Sequence, residues 1–154
     1  MPNMDVINSL TGKWKGENLV WESLEQEPHE SQTEADIVML AQGKFLRMDY
    51  RWAIGDEPQS GSLLIGQEAA SGELTAAWID SWHNGDRMMI CRGKIDKTGA
   101  ADLYGSYPVL SGPDWGWRIY LEPGGIDSFR VYMYNISPQG VEELAVEADY
   151  RPAH

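Results

Sequence analysis

Leu10-Thr11-Gly12-Lys13-Trp14-Lys15-Gly16-Glu17-Asn18-Leu19-Val20-Trp21 is the stretch from which the fold of this chain is read. From Lys13 onward the side chains follow a period of two, the spacing of a strand with one face inward and one outward. Gly12 permits a tight entry, and Trp14 is large enough to plug one end of a closed antiparallel β-barrel. The segment is read as the opening strand of such a barrel. Everything after it continues as strand, turn, strand.

Ahead of this strand, Asn3 or Asp5 is placed to cap a single helical turn, with Met4, Ile7 and Leu10 on one stripe that would lid the barrel bottom. Behind it, residues 22–33 are polar and acidic with no apolar rhythm, and are expected to form the longest loop, a flap beside the barrel entrance. Strands are then expected over Ala35–Ala41, Phe45–Ile54, Ser62–Glu68, Leu74–His83 and Met88–Ile95. Four more follow over Ala101–Val109, Trp115–Glu122, Ile126–Ile136 and Val141–Tyr150. Turn chemistry separates them: Gln42-Gly43, Gly55-Asp56-Glu57-Pro58 with Gly61, Ser71-Gly72, Lys97-Thr98-Gly99, Ser111-Gly112-Pro113-Asp114, Pro123-Gly124-Gly125 and Ser137-Pro138-Gln139-Gly140. Asn84-Gly85 is the strongest hairpin signal, since both central residues of a type I′ turn need positive φ. The total is about ten strands with no helix-sized segment between them. A meander of that length removes its two exposed edges by closing into an up-and-down barrel, so an all-β single domain over residues 1–154 is expected.

Composition bounds the function. At 154 residues the chain is long enough for one domain that buries most of its unfolded surface. A net charge of −12 argues against a sequence-independent grip on nucleic acid or on an anionic membrane, since both need a basic face. The lone cysteine, Cys91, suits a reducing compartment and sits mid-strand among apolar neighbours, as a buried inert thiol does. No secretory signal is visible, and the longest aliphatic run, Ile37–Ala41, is too short to cross a bilayer, so a cytoplasmic location is expected.

The alternation also assigns faces. Leu46, Met48, Tyr50 and Trp52 are expected inward, against Arg47, Asp49 and Arg51. Trp115, Trp117, Ile119 and Leu121 oppose Arg118, Tyr120 and Glu122. Phe129, Val131 and Met133 oppose Arg130, Tyr132 and Tyr134, and either set suits a barrel wall, because tyrosines and an arginine can line a polar pocket. Trp78, Asp80 and Trp82 share one face, with His83 at the hairpin edge. Two readings stand beside each other here: a pocket wall, or an aromatic core in which Asp80 caps a turn or pairs with Arg47, Arg51 or Arg92. A ligand wall would comprise Met48, Tyr50, Trp52, Trp78, Trp82, Trp117 and Tyr132, with Asp80 or Arg130 as polar anchor. Asp80 would then find an arginine or hold a raised pKa. An Asp80–His83 acid–base pair would need a bulge, because residues three apart on a strand face opposite ways. Motifs for nucleophilic, metalloprotease or phosphate-loop chemistry are missing. His29, His83 and His154 are too scattered to form a metal set, so no metal site is assigned. Glu142, Glu143, Glu147 and Asp149 read as a solvated face of the last strand.

Gly12-Lys13-Trp14 resembles the Gly-x-Trp opening of the calycins: lipocalins, fatty-acid-binding proteins and nitrobindin-like barrels. Gly43-Lys44-Phe45-Leu46, Asp49-Tyr50, Gly66, Ser71-Gly72 and Trp78-Ile79-Asp80-Ser81 resemble a family of lipocalin-like barrels catalogued only as a domain of unknown function. The resemblance spans nearly the whole chain. It implies that a late basic side chain lies across the opening tryptophan, with Arg151 over Trp14 as the positional match and Arg130 as the alternative. Nitrobindin-like barrels bind haem through a late histidine. Between Asn84 and Ala153 there is no histidine, so that ligand has no counterpart and no cofactor is assigned.

Three functions remain in play. The leading one is a non-catalytic module whose barrel interior takes a small apolar or amphipathic molecule. The second is an enzyme using a pocket carboxylate or tyrosine as acid or base. The third is a filled barrel with a structural or self-associating role, for which a second copy of the chain, as a homodimer, is the partner.

Overall fold

Alternating side chains leave each strand with one apolar face to bury, and in the computed structural model, which describes residues 2–125 and 127–153, ten strands bury it together. After a short helix α1 (Asp5–Asn8) come β1 (Gly12–Val20), β2 (His29–Leu40), β3 (Phe45–Ile54), β4 (Glu57–Gln67) and β5 (Leu74–Asp80). The second half holds β6 (Met89–Ile95), β7 (Ala101–Tyr107), β8 (Trp115–Pro123), β9 (Phe129–Ile136) and β10 (Glu142–Pro152). Each strand pairs antiparallel with its sequence neighbours, and β1 pairs with β10 from Trp14↔Pro152 to Val20↔Val146, closing the barrel. Closure leaves no unpaired edge.

One end is sealed. Ile7 and Leu10 are buried beneath α1, and Asn3 Oδ1 accepts the Asp5 N–H at 2.9 Å to hold its start. The Trp14 indole donates to the Leu10 carbonyl at 2.7 Å and meets Phe129 edge-on at 4.8 Å, while Phe129 stacks on Tyr150 at 4.6 Å. The expected arginine is not there. Lys15↔Arg151 register puts Arg151 on the outer face, one residue out of phase with Trp14, and it is exposed. Arg130 is outward too, 3.7 Å from Asp149. Aromatic edges seal this end in place of a cation.

Several expected boundaries move. The flap over 22–33 shrinks, because β2 begins at His29 and pairs Glu30 with Leu19. Thr33 is buried there, donating to the Arg51 carbonyl at 2.8 Å and lying 3.0 Å from the Tyr150 hydroxyl. A polar inward row hides a strand from any test based on apolar rhythm. The β4 strand runs through Pro58 and Gly61, and Leu74–His83 ends early, at Asp80. The Ile126–Ile136 strand begins at Phe129, and its expected first residue, like His154, lies outside the described residues.

On β9 the apolar set Phe129, Val131 and Met133 is buried, which settles the two-sided strand. Tyr134 faces out because Arg118 lies over it at 5.5 Å, and Tyr132 stacks beside it at 6.5 Å. Arg118 also covers Tyr104 and Tyr120 and is held by both oxygens of Asp102, at 2.8 and 3.1 Å. These outer tyrosines support a charged cluster on the barrel's surface.

Candidate site at the open end of the barrel

The far end is open, and its chemistry begins where β5 stops. Asp80 is the last residue of the strand, and its Oδ1 accepts the main-chain N–H groups of Trp82 at 2.8 Å and His83 at 2.9 Å. An aspartate that accepts the amides two and three residues on turns the chain locally, in competition with the ladder. Residues 81–88 therefore form a loop, not a two-residue hairpin. Asn84 and Gly85 do take positive φ, 57° and 58°, at its tip. This reversal carries His83 to the same side as Asp80, which a straight strand forbids. His83 Nδ1 lies 3.2 Å from Asp80 Oδ1, within charge-pairing distance but off the line of a hydrogen bond.

The other carboxylate oxygen is held from across the barrel wall. Tyr50 donates its hydroxyl to Asp80 Oδ2 at 2.6 Å and accepts the Trp78 indole N–H at 2.9 Å. Burial above all, and then the Asp80 charge, pushes the Tyr50 hydroxyl well above the ordinary tyrosine range, so it stays a donor. For Asp80, burial works to raise the pKa, but His83, the Tyr50 bond and the His83 amide outweigh it and hold the carboxyl below its ordinary value. The expected arginine partner and raised pKa are both replaced by this set. Hydrogen bonds to a buried carboxylate achieve what a cation would.

Around His83 stands an aromatic cluster. Its imidazole stacks on Trp52 at 5.5 Å and meets Trp82 edge-on at 4.8 Å, with Trp78 at 5.8 Å and Trp117 at 5.6 Å. A cleft of about 290 Å³ opens over it between the Trp21–Leu24 loop, Trp82, His83, Trp117 and the start of β10. Glu22 and Glu143 border this cleft. The indole N–H groups of Trp52 and Trp117 are buried and have no acceptor among the described residues. Deeper in, side chains fill the barrel: the void between Asn18, Met48, Leu63, Met133 and Tyr150 is only about 20 Å³, room for about one water.

Of the residues expected to line a pocket, Tyr50, Trp52, Trp78, Asp80, Trp82 and Trp117 gather at or just below the open end, and Met48 borders the small void. Tyr132 and Arg130 do not join them, since they lie on the outer face of β9. His83 is the central residue that period-two reading passes over. The signal for it is Asp80 followed by Ser81, Trp82, His83, Asn84 and Gly85, a turn-forming run that ends a strand. Cys91 is fully buried, and burial raises its thiol to about 11. Among the described residues no three His, Cys, Asp or Glu side chains converge as metal ligands, and no helix is long and apolar enough to cross a membrane.

Residues 3–152 match a family described as a protein of unknown function, DUF1579. The chain belongs to the DUF1579 family. Among solved structures, the DUF1579 barrel is similar to Rv2717c from M. tuberculosis, with a TM-score of 0.67 at 14% identity, covering 100% of this chain and 99% of that one. It is similar also to the S-type phycobiliprotein lyase CPES from Guillardia theta, with a TM-score of 0.64 at 12% identity, covering 95% of this chain and 89% of that one. At such identities the likeness is one of fold. No curated protein matches this DUF1579 sequence.

Proposed function

We propose that this protein binds a small, flat, largely apolar molecule, seated at the open end of the barrel and not in its middle. The observation that carries the reading is the 290 Å³ cleft itself, which opens at the end of the barrel against the aromatic residues Trp21, Trp82, His83 and Trp117. Trp21, Trp82 and Leu24 supply apolar area around it, the usual make-up of a small-molecule site. Glu22 and Glu143 at the border favour a neutral ligand over an anionic one. The likeness to a protein named as a phycobiliprotein lyase supports this at the level of architecture alone, in that the same barrel form carries more than a filled scaffold. The 20 Å³ interior void favours the alternative of a filled barrel with a structural or self-associating role.

The neutral fluorophore N-phenyl-1-naphthylamine separates the two readings. Saturable enhancement and a blue shift of its emission, with affinity roughly tenfold weaker in Trp82→Ala, is the outcome expected for loss of one large apolar contact. A filled scaffold gives no saturable signal, or one that Trp82→Ala and Leu24→Ala leave untouched.

A further inference from the structure

The cleft holds one group that binding alone does not use. His83 presents Nδ1 to a carboxylate at 3.2 Å, and its other ring nitrogen has no protein partner among the described residues. The side chain is 12% exposed and lines the cleft, whereas the Asp80 side chain is 1% exposed. Tyr50 and two main-chain amides fix that carboxylate on three sides, so it cannot swing away from the imidazole. Trp52 stacked at 5.5 Å and Trp82 edge-on at 4.8 Å hold the ring plane. An imidazole with one nitrogen 3.2 Å from a fixed buried carboxylate, off the line of a hydrogen bond, and the other on a cleft is arranged to accept a proton, since the nearby negative charge stabilises the imidazolium that results.

We propose that His83, positioned by Asp80, is a general base at the barrel mouth, acting on a flat ligand whose C–H bond is acidified by an adjacent carbonyl or imine. The proposal rests on the mouth being a binding site and goes beyond it in assigning an activity. In such a proton-transfer isomerisation, the proton leaves carbon for His83 Nε2 and the bonding pair moves onto the ligand's oxygen or nitrogen. The same proton then returns at a second carbon, so no other reactant is needed. Trp117 lines the same cleft, its ring 5.6 Å from the imidazole, and supplies a flat face for the ligand. Tyr50 and the two main-chain amides occupy both oxygens of the buried Asp80, which leaves His83 as the group that faces the cleft.

The probe is 5-nitrobenzisoxazole, a flat neutral aromatic that opens when a base removes its ring C–H proton. The proton passes to His83 Nε2, the bonding pair forms the nitrile, the N–O bond breaks and a coloured phenolate is released; the imidazolium then loses its proton to water. The titratable groups around the cleft are Asp80, Tyr50 behind it, Glu22 and Glu143, with His29 bonded to Glu22 at 3.0 Å, so loss of the rate in His83→Gln is what assigns the base to His83. The wild type is expected to saturate and to exceed free imidazole by roughly 10²-fold per site. His83→Gln reduces the rate to background while its urea midpoint stays at the wild-type value. Asp80→Asn lowers kcat with KM unchanged; if that variant fails to fold in urea titration, His83→Gln decides alone. A wild-type rate no faster than imidazole, or a rate retained in His83→Gln, overturns the proposal. Fluorophore binding without elimination overturns the base and leaves the binding reading standing, whereas failure of the fluorophore to bind the wild type overturns the binding reading.

Discussion

Tyr50 on β3 bonds to Asp80 on β5 at 2.6 Å, reaching across β4 at Gly61, where that strand has no side chain. Gly61 pairs with both residues in register, Tyr50 on one side and Asp80 on the other. A Cβ there would overlap the Tyr50 hydroxyl and come within 2.6 Å of the Ile79 carbonyl. The glycine that reads as a strand breaker is the opening through which the site is wired.

Gly61→Ala is therefore expected to displace Tyr50 and destabilise the barrel by about 1–3 kcal/mol, the usual cost of overpacking. Tyr50→Phe, which leaves the Trp78 N–H and one Asp80 oxygen unpaired, is expected to cost about the same. Urea titration followed by tryptophan fluorescence measures both. A midpoint unchanged by either substitution would show that the Tyr50–Asp80 bond contributes nothing.

Asp96 sets an acid limit. Burial raises its carboxyl, but bonds from Tyr120 at 2.5 Å, the Thr98 hydroxyl at 2.7 Å and the amides of Thr98 and Ala100 prevail and bring it down to about 2. A carboxyl depressed in the folded state contributes stability above its unfolded pKa of about 4, and that contribution is lost as pH falls toward the folded value. Asp96→Asn is thus expected to be less stable than wild type at pH 7, with the gap closing between about pH 4 and pH 2. Denaturation midpoints across that range check it, and a gap that widens on acidification would reverse the assignment.

At the sealed end, Trp14→Ala is expected to cost about 3–5 kcal/mol, as truncation of a buried aromatic does. Arg151→Ala, on the outer face, is expected to stay within about 0.5 kcal/mol of wild type. Equal losses in the two variants would restore the cation-over-indole arrangement that the calycin resemblance implies. Fluorophore binding at the opposite end is expected to survive Arg151→Ala unchanged.

Much of the barrel is legible in the sequence because its signal is local. Leu46, Met48 and Trp52 alternate with Arg47, Asp49 and Arg51, and a slip of one residue would turn every apolar group to solvent, so the inward set follows from the pattern. The reading falters where inward positions are polar. Ser31 and Thr33 carry no apolar rhythm, and a strand that starts at His29 reads as loop. It falters again on β9, where Tyr132 and Tyr134 satisfy either face until Arg118, fourteen and sixteen residues away in sequence respectively, is brought over the ring of Tyr134.

The chain by itself determined an all-β meander of about ten strands, its closure and its plugged end, since side-chain period, turn residues and the cost of free edges are properties of neighbouring residues. Only the tertiary structure decided that the barrel middle is packed and that the cleft lies at its mouth. It alone brought Asp80 and His83 to one side. That placement depends on where β5 lets go of the ladder, which is decided by Asp80 binding its own loop through one oxygen while Tyr50 on β3 holds the other, contacts across three strands that no window along the sequence contains.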